Sequence, residues 1–197
     1  MQKPRYKPQQ RRSEEMRQRI LDATVQLLRQ DPGAVSTTAI AAAAHVSIGT
    51  VYRYFNDRDE ILGVLLEETI HEIYNDLTTA VGAALDLDLD ASTRAVVEAL
   101  TATFERHAPV LAAFVDRATD VELVSGVERT LLPLARVIPA RHRPDLTPAE
   151  LDDLVFVTMG FTADGCLRIA LRRPPGSDRE AMVDLTARML AAALQPQ

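Results

Sequence analysis

The sequence contains one cysteine, Cys166, in 197 residues, and no tryptophan. A lone thiol excludes an internal disulfide framework and any zinc site built on a cysteine cluster. Aromatic residues make up only 5%, which points to an interior filled by Ala, Leu and Val. Glycine (8) and proline (11) are few and scattered, so collagen-like and low-complexity architectures are excluded. No apolar run approaches the ~20 residues needed to span a bilayer. The N-terminus is basic and polar with no apolar stretch behind it, unlike a secretory signal. What is present, 47% hydrophobic and 25% charged residues, fits one globular domain, or two small ones sharing a core. The expectation is a reduced, cytoplasmic chain with no membrane segment, no metal and no cofactor.

The net charge is −6, but it is unevenly spread. Residues 1–60 hold ten Lys/Arg against seven Asp/Glu (net +3), and the remainder holds twelve against twenty-one (net −9). Within the first 19 residues Lys3, Arg5, Lys7, Arg11, Arg12, Arg17 and Arg19 face only Glu14 and Glu15. A basic end on an acidic body suits one end meeting a polyanion. Charge alone is equally satisfied by a solvated tail.

Pro4, Pro8 and the alternating basic residues make 1–12 a flexible basic arm. Ser13 is the expected N-cap of a first helix, with Glu14 and Glu15 favouring its dipole. Met16, Ile20, Ala23, Thr24, Leu27 and Leu28 then recur at helical spacing, and Asp31-Pro32-Gly33 stops the run. Thr37 is the expected cap of a short second helix running through Ala44. His45-Val46-Ser47 forms a tight turn, and Ser47 caps a third helix through Phe55. Asp57 to Glu60 has capping-box spacing and opens a long fourth helix carrying Ile61, Leu62, Leu65, Leu66, Ile70, Ile73 and Leu77. Asp86–Asp90 imitates the start of a calcium loop, but Ala91 and Val97 stand where that loop needs Gly and Glu; it is read as an inter-helix loop. Further helices are expected at about 91–107, 109–118, 121–138, 148–173 and 178–194. The fold class is all-α.

Two short helices joined by a tight turn and flanked by longer ones form a helix-turn-helix. Ile40, Ala41, Ala44 and Val46 supply small apolar packing. The helix from Ile48 to Phe55 carries Thr50, Tyr52, Arg53 and Tyr54, groups that suit phosphate oxygens and base edges in a major groove about 12 Å wide. Val51 and Phe55 point inward in the same helix.

The run Thr38-x-Ile40-Ala41-x-Ala43-Ala44-x-Val46-Ser47-x-Gly49-Thr50-Val51-Tyr52-x-Tyr54-Phe55-x-x-Arg58-Asp59-x-Ile61-Leu62 resembles the signature of the tetracycline-repressor (TetR) family of bacterial transcription regulators. The likeness covers residues 13–62; beyond it the chain agrees in length and helical character. The resemblance implies a three-helix DNA-binding head (13–60) and a larger helical effector-binding and dimerisation body (61–197). It places Thr37 and Thr38 at phosphate, and Ile48, Gly49 and Thr50 at the turn-proximal, base-reading end of the recognition helix, with Ser47 just ahead of them among the DNA-binding residues. It matches Tyr52 and Tyr54 to phosphate-binding aromatics, and Arg58 to a position usually held by Lys. Arg53 is the candidate for direct guanine contact, since a guanidinium can meet O6 and N7 together. The arm could reach an adjacent minor groove.

The same resemblance implies a ligand-responsive regulator, a repressor released from a palindromic double-stranded operator by a small-molecule effector. An activator or a ligand-independent regulator of the same fold is the alternative. A homodimer is implied, through helices 148–173 and 178–194. The first carries Leu151, Leu154, Val155, Thr158, Phe161, Gly165 and Ile169 on a broad face, with Gly160, Ala163 and Gly165 allowing close approach. The second carries Met182, Leu185, Met189, Ala192 and Ala193. Burial within one subunit gives the same pattern. Phe104, His107, Phe114, Thr158 and Phe161 are candidate effector-pocket lining, though core packing also accounts for them. Asp116, Arg117 and Asp120 can pair with one another.

Two other classes compete. An enzyme is disfavoured: His45, His71, His107 and His142 are scattered, no hydrolase or zincin motif occurs, and Glu14/Glu15 and Asp152/Asp153 are sequence neighbours that diverge around a helix. Cys166 has no local activating partner and reads as structural. A helical scaffold without DNA binding has no need of Thr50, Tyr52, Tyr54 and Arg58 where they stand.

Overall fold

The computed structural model describes residues 8–115 and 129–196. Among them there are helices and no strands: α1 (Pro8–Gln30), a 3-10 turn (Pro32–Ala34), α2 (Thr37–Ala43), α3 (Ile48–Tyr54), α4 (Arg58–Ala84), α5 (Leu89–Arg106), α6 (Ala108–Val115), α7 (Val137–His142), α8 (Pro148–Arg172) and α9 (Arg179–Leu194). The described chain forms two compact units, one up to Glu68 and one from Thr69 onward, the division falling within α4. The expected helix over 121–138 and the expected pairing of Asp116, Arg117 and Asp120 lie wholly or partly outside the described residues.

Local chemistry sets most boundaries. Ser47 Oγ accepts from Thr50 N at 3.1 Å and caps α3. Asp57 Oδ1 accepts from Glu60 N at 2.8 Å at the start of α4, and the Glu60 carboxylate reaches back to Asn56 N, one residue earlier than a standard box. Thr147 and Glu150 form a full capping box ahead of α8, with Pro148 in its first turn. Asp88 caps α5, which starts at Leu89, so part of the Asp86–Asp90 segment read as a loop is helical. Two expected caps are displaced. α1 begins at Pro8, leaving Ser13 inside the helix and making residues 8–12 of the expected flexible arm helical. The cap of α2 is Ser36, whose Oγ accepts from Ala39 N at 3.2 Å, so Thr37 is the first helical residue.

In the first unit α1, α2 and α3 surround Ile20, Leu21, Leu28, Ile40 and Val51, all essentially inaccessible. Each such side chain contributes about 1.5–3 kcal/mol relative to exposure. The turn between α2 and α3 is a Schellman motif: His45 N donates to Ala42 O at 3.1 Å and Val46 N to Ala41 O at 2.9 Å, which requires a left-handed residue. His45 supplies it at φ 55°.

In the second unit α5, α8 and α9 pack on one another around Val97, Leu100, Phe104, Ile169, Val183 and Leu194. Gly165 is the close-approach point between α8 and α9 of the same chain, where an added Cβ would meet Thr186 Cγ2 at 3.3 Å. Arg179 at the start of α9 bridges Glu98 (Nη2–Oε1 2.9 Å) and Glu105 (Nε–Oε1 2.9 Å) on α5.

As expected, no uninterrupted apolar run in α8 approaches the ~20 residues needed to span a bilayer. By length and composition alone this 25-residue helix could, with mean hydropathy 1.5 over its best window, of which 28% is buried in the subunit. Asp164 and Arg168, an i,i+4 ion pair, interrupt the run in its sequence. Its inward positions are Leu151, Val155, Thr158 and Ile169, so most of the broad face assigned to dimerisation is subunit core. Elsewhere α8 leaves Phe156 74% and Val157 62% exposed, and α9 leaves Leu185 and Met189 at 53% each.

Candidate functional site

Helix α3 sorts its side chains by angle. Val51 is buried and Phe55, just past its end, closes over the same core. At 100° per residue, Gly49 and Arg53 fall on the opposite side, with Tyr52 on the flank and Ile48 in the open first turn, and all four are exposed. Ile48 (44% exposed) and Tyr52 (53%) are large apolar or aromatic groups left in solvent, on a helix only two turns long.

The hydroxyls around this face are linked. Tyr52 OH and Thr37 Oγ1 lie 3.3 Å apart, joining α3 to the first residue of α2. Ser47 Oγ and Thr50 Oγ1 lie 2.9 Å apart at the start of α3. Thr38 is exposed in the first turn of α2. Hydroxyls beside two helix N-termini, where backbone N–H groups lack intrahelical acceptors, suit phosphate oxygens. Gly49 is not demanded by packing: an added Cβ would find only Ser47 Oγ, at 3.9 Å.

The cations differ in what holds them. Arg53 folds over Tyr54, its guanidinium carbon 5.1 Å from the ring centroid and Nη2 donating to the phenol oxygen at 3.4 Å. Arg58 is half-buried with Nη1 3.5 Å from Asp59 Oδ1, and its Nε has no hydrogen-bond partner. Arg17, part of the basic end in sequence, serves the fold instead. Its guanidinium lies 5.7 Å from the centroid of the Phe55 ring and 3.3 Å from Glu68 Oε1. Thus Thr37, Thr38, Ser47, Ile48, Gly49, Thr50, Tyr52, Arg53 and Tyr54 come together around α3 and the start of α2, while Arg58 stands at the start of α4. Ser36 and the Thr37–Tyr52 link escaped sequence reading. Adjacent Ser and Thr are both cap-competent, and the link joins residues fifteen positions apart.

The second unit holds a cavity of about 90 Å³. Phe104 and Thr158 are in its wall, with Leu134, Ile138, Met159 and Thr162 among the others. His107, Phe114 and Phe161 are not part of that wall. Phe161 packs against the core. His107 Nε2 lies 3.2 Å from Glu72 Oε2 without hydrogen-bond geometry, and burial lowers its pKa below the ordinary histidine value, against the raising effect of Glu72. Cys166 is buried, its thiol pushed up to about 11 by burial, and so stays protonated and unreactive at neutral pH. Among the described residues no three His, Cys, Asp or Glu side chains group as metal ligands.

Two short helices crossing through a left-handed turn, the second with a hydroxyl- and arginine-bearing outer face, make a helix-turn-helix DNA-binding head. Comparison with known proteins gives the family. The sequence matches bacterial regulatory proteins of the tetR family over residues 20–65 and the tetracyclin repressor-like C-terminal domain over residues 88–194. The chain belongs to the TetR family of transcriptional regulators, whose members are DNA-binding proteins and not enzymes. It is 30% identical over 132 residues to the HTH-type transcriptional regulator SrpR of Pseudomonas putida, a match spanning 66% of this chain and 56% of that protein. Among solved structures it is similar to the fatty acid degradation regulator FadR of Bacillus halodurans (TM-score 0.68, 18% identity, 95% and 97% of the two chains). It is also similar to a TetR-family regulator of Streptomyces coelicolor (TM-score 0.63, 24% identity, 91% and 97%). At these identities the structural likeness speaks to the fold.

Proposed function

We propose that the protein is a cytoplasmic, homodimeric repressor that binds a palindromic operator and is released by a small-molecule effector. The observation that carries the DNA half is the outer face of α3: large and polar side chains left exposed on a helix whose other face already closes the core. Ile48, Gly49 and Thr50 read base edges, with Arg53 swinging from Tyr54 to a guanine. Thr37, Thr38, Ser47, Tyr52, Tyr54 and Arg58 hold phosphates. The basic segment ahead of α1 extends the contact into the neighbouring minor groove.

The dimer follows from the side of α8 and α9 that their own chain leaves uncovered. Phe156, Val157, Leu185 and Met189 are exposed large apolar groups, and Gly160 has no atom within 4 Å of an added Cβ, leaving room for close helix approach. A second copy covering this face accounts for the large apolar groups that α8 exposes between Asp153 and Asp164. It also brings two recognition helices to half-sites about 34–36 Å apart. Effector in the cavity of the body favours a state with lower operator affinity, by no more than its preference between the two states. A gel-shift assay with DNA flanking the protein's own gene tests the reading. Sequence-specific retardation of a two-chain complex is expected, and no retardation at any salt concentration would refute it.

A further inference from the structure

Among the described residues the cavity in the second unit is lined by aliphatic and aromatic carbon, with two threonines one helical turn apart on α8, Thr158 and Thr162, as its hydroxyl-bearing side chains. They are in different states. Thr158 Oγ1 donates to Leu154 O at 2.7 Å, so its proton is committed and only lone pairs remain. Thr162 is 6% exposed and its Oγ1 has no hydrogen-bond partner. An unpaired buried hydroxyl is costly and calls for a partner, whereas a neighbouring threonine on the same helix has one. Among the described residues no charged side chain is in the wall, so an ionised carboxylate or ammonium would meet no counter-charge from them. The space of about 90 Å³ is below the ~150 Å³ of a dry apolar cavity that admits benzene. Met159 in the wall is an unbranched side chain that repacks readily.

We propose that this cavity takes a compact, uncharged molecule with an apolar body of one ring or a short chain and a single hydroxyl or carbonyl oxygen, which accepts a hydrogen bond from Thr162. The proposal names the effector class and so rests on the reading of this cavity as the effector site. Neutral apolar ligands are selected by the wall, and oxygenated ones by Thr162.

Calorimetric titration of the full chain with phenol, toluene and benzoate tests it. Phenol is expected to bind about two- to tenfold more tightly than toluene, the range of one net hydrogen bond, and benzoate not to bind. In Thr162→Val, which keeps the side-chain shape, phenol and toluene should become equal while toluene keeps its wild-type affinity, showing that the cavity survives. Absence of phenol binding, benzoate binding as tight as phenol, or a phenol advantage that persists in Thr162→Val each overturns the proposal. Operator release is measured separately. Phenol bound through Thr162 with operator affinity unchanged would refute the ligand-responsive reading and leave the site standing.

Discussion

Replacing Gly49 by Ala separates folding from DNA recognition because the two effects have opposite signs. Gly49 is the second residue of α3, exposed, and the nearest atom to an added Cβ is Ser47 Oγ at 3.9 Å, ordinary van der Waals contact. Nothing in the free protein opposes the methyl. Ala is preferred over Gly in a helix by about 0.5–1 kcal/mol, which for a chain of this size raises Tm by about 2–4 °C per kcal/mol. In the complex, by contrast, the methyl stands between the recognition helix and the base edges, and a loss of only about 1.4 kcal/mol is tenfold in affinity. The assay pairs a thermal melt with fluorescence anisotropy on a labelled operator at fixed salt. Gly49→Ala should melt at or above the wild-type temperature and bind at least tenfold more weakly. Wild-type affinity in a correctly folded Gly49→Ala would refute the placement of this face against bases.

Other consequences are as direct. Phe156→Glu removes about 2 kcal/mol of apolar burial in each of two copies and sets a charge in the covered face, so sedimentation should show dimer dissociation rising by roughly a thousandfold or more; an unchanged dimer would place the interface elsewhere. His45→Gly relieves a left-handed residue that costs roughly 1–2 kcal/mol, partly offset by the entropy of glycine; urea unfolding should show a net gain of about 0.5–1 kcal/mol, and a loss would contradict the turn geometry. Burial holds the His107 pKa below its unfolded value, so its contribution to stability is present above about pH 6.5 and falls as pH drops below it, where the unfolded chain binds the extra proton. His107→Gln should flatten the pH dependence of Tm below that point, and an unaltered slope would assign the acid sensitivity to other groups.

The head was largely legible because its determinants are local. Ser47 three residues before Thr50, Val51 and Phe55 inward, and the Asp57–Glu60 pair are all written within one or two helical turns. The errors there are local as well: Ser36 and Thr37 are both able to cap, and only the backbone decides between them. The body was legible as helices but not as surfaces. In α8 a largely apolar run from Leu154 to Gly160 covers buried and exposed positions alike, so periodicity could not tell Leu151 and Val155, which face the core, from Phe156 and Val157, which do not. Gly165 illustrates the same limit: its closeness to Thr186 is an intrachain contact, with the sequence signature expected of an interface between copies. The cavity depends on helices brought together from distant positions, which is why Phe104 and Thr158 fall in its wall and His107, Phe114 and Phe161 do not.

The central claim is that α3 reads duplex DNA as one of a symmetric pair. Selection from a random duplex pool with the full chain, followed by mass determination of the bound complex, tests it most directly. The account predicts an inverted repeat whose half-sites lie one helical turn apart, about 34–36 Å, or a multiple of that spacing, with two chains per recognised site. Enrichment of no sequence at low ionic strength, or of a lone half-site held by a single chain, would contradict it.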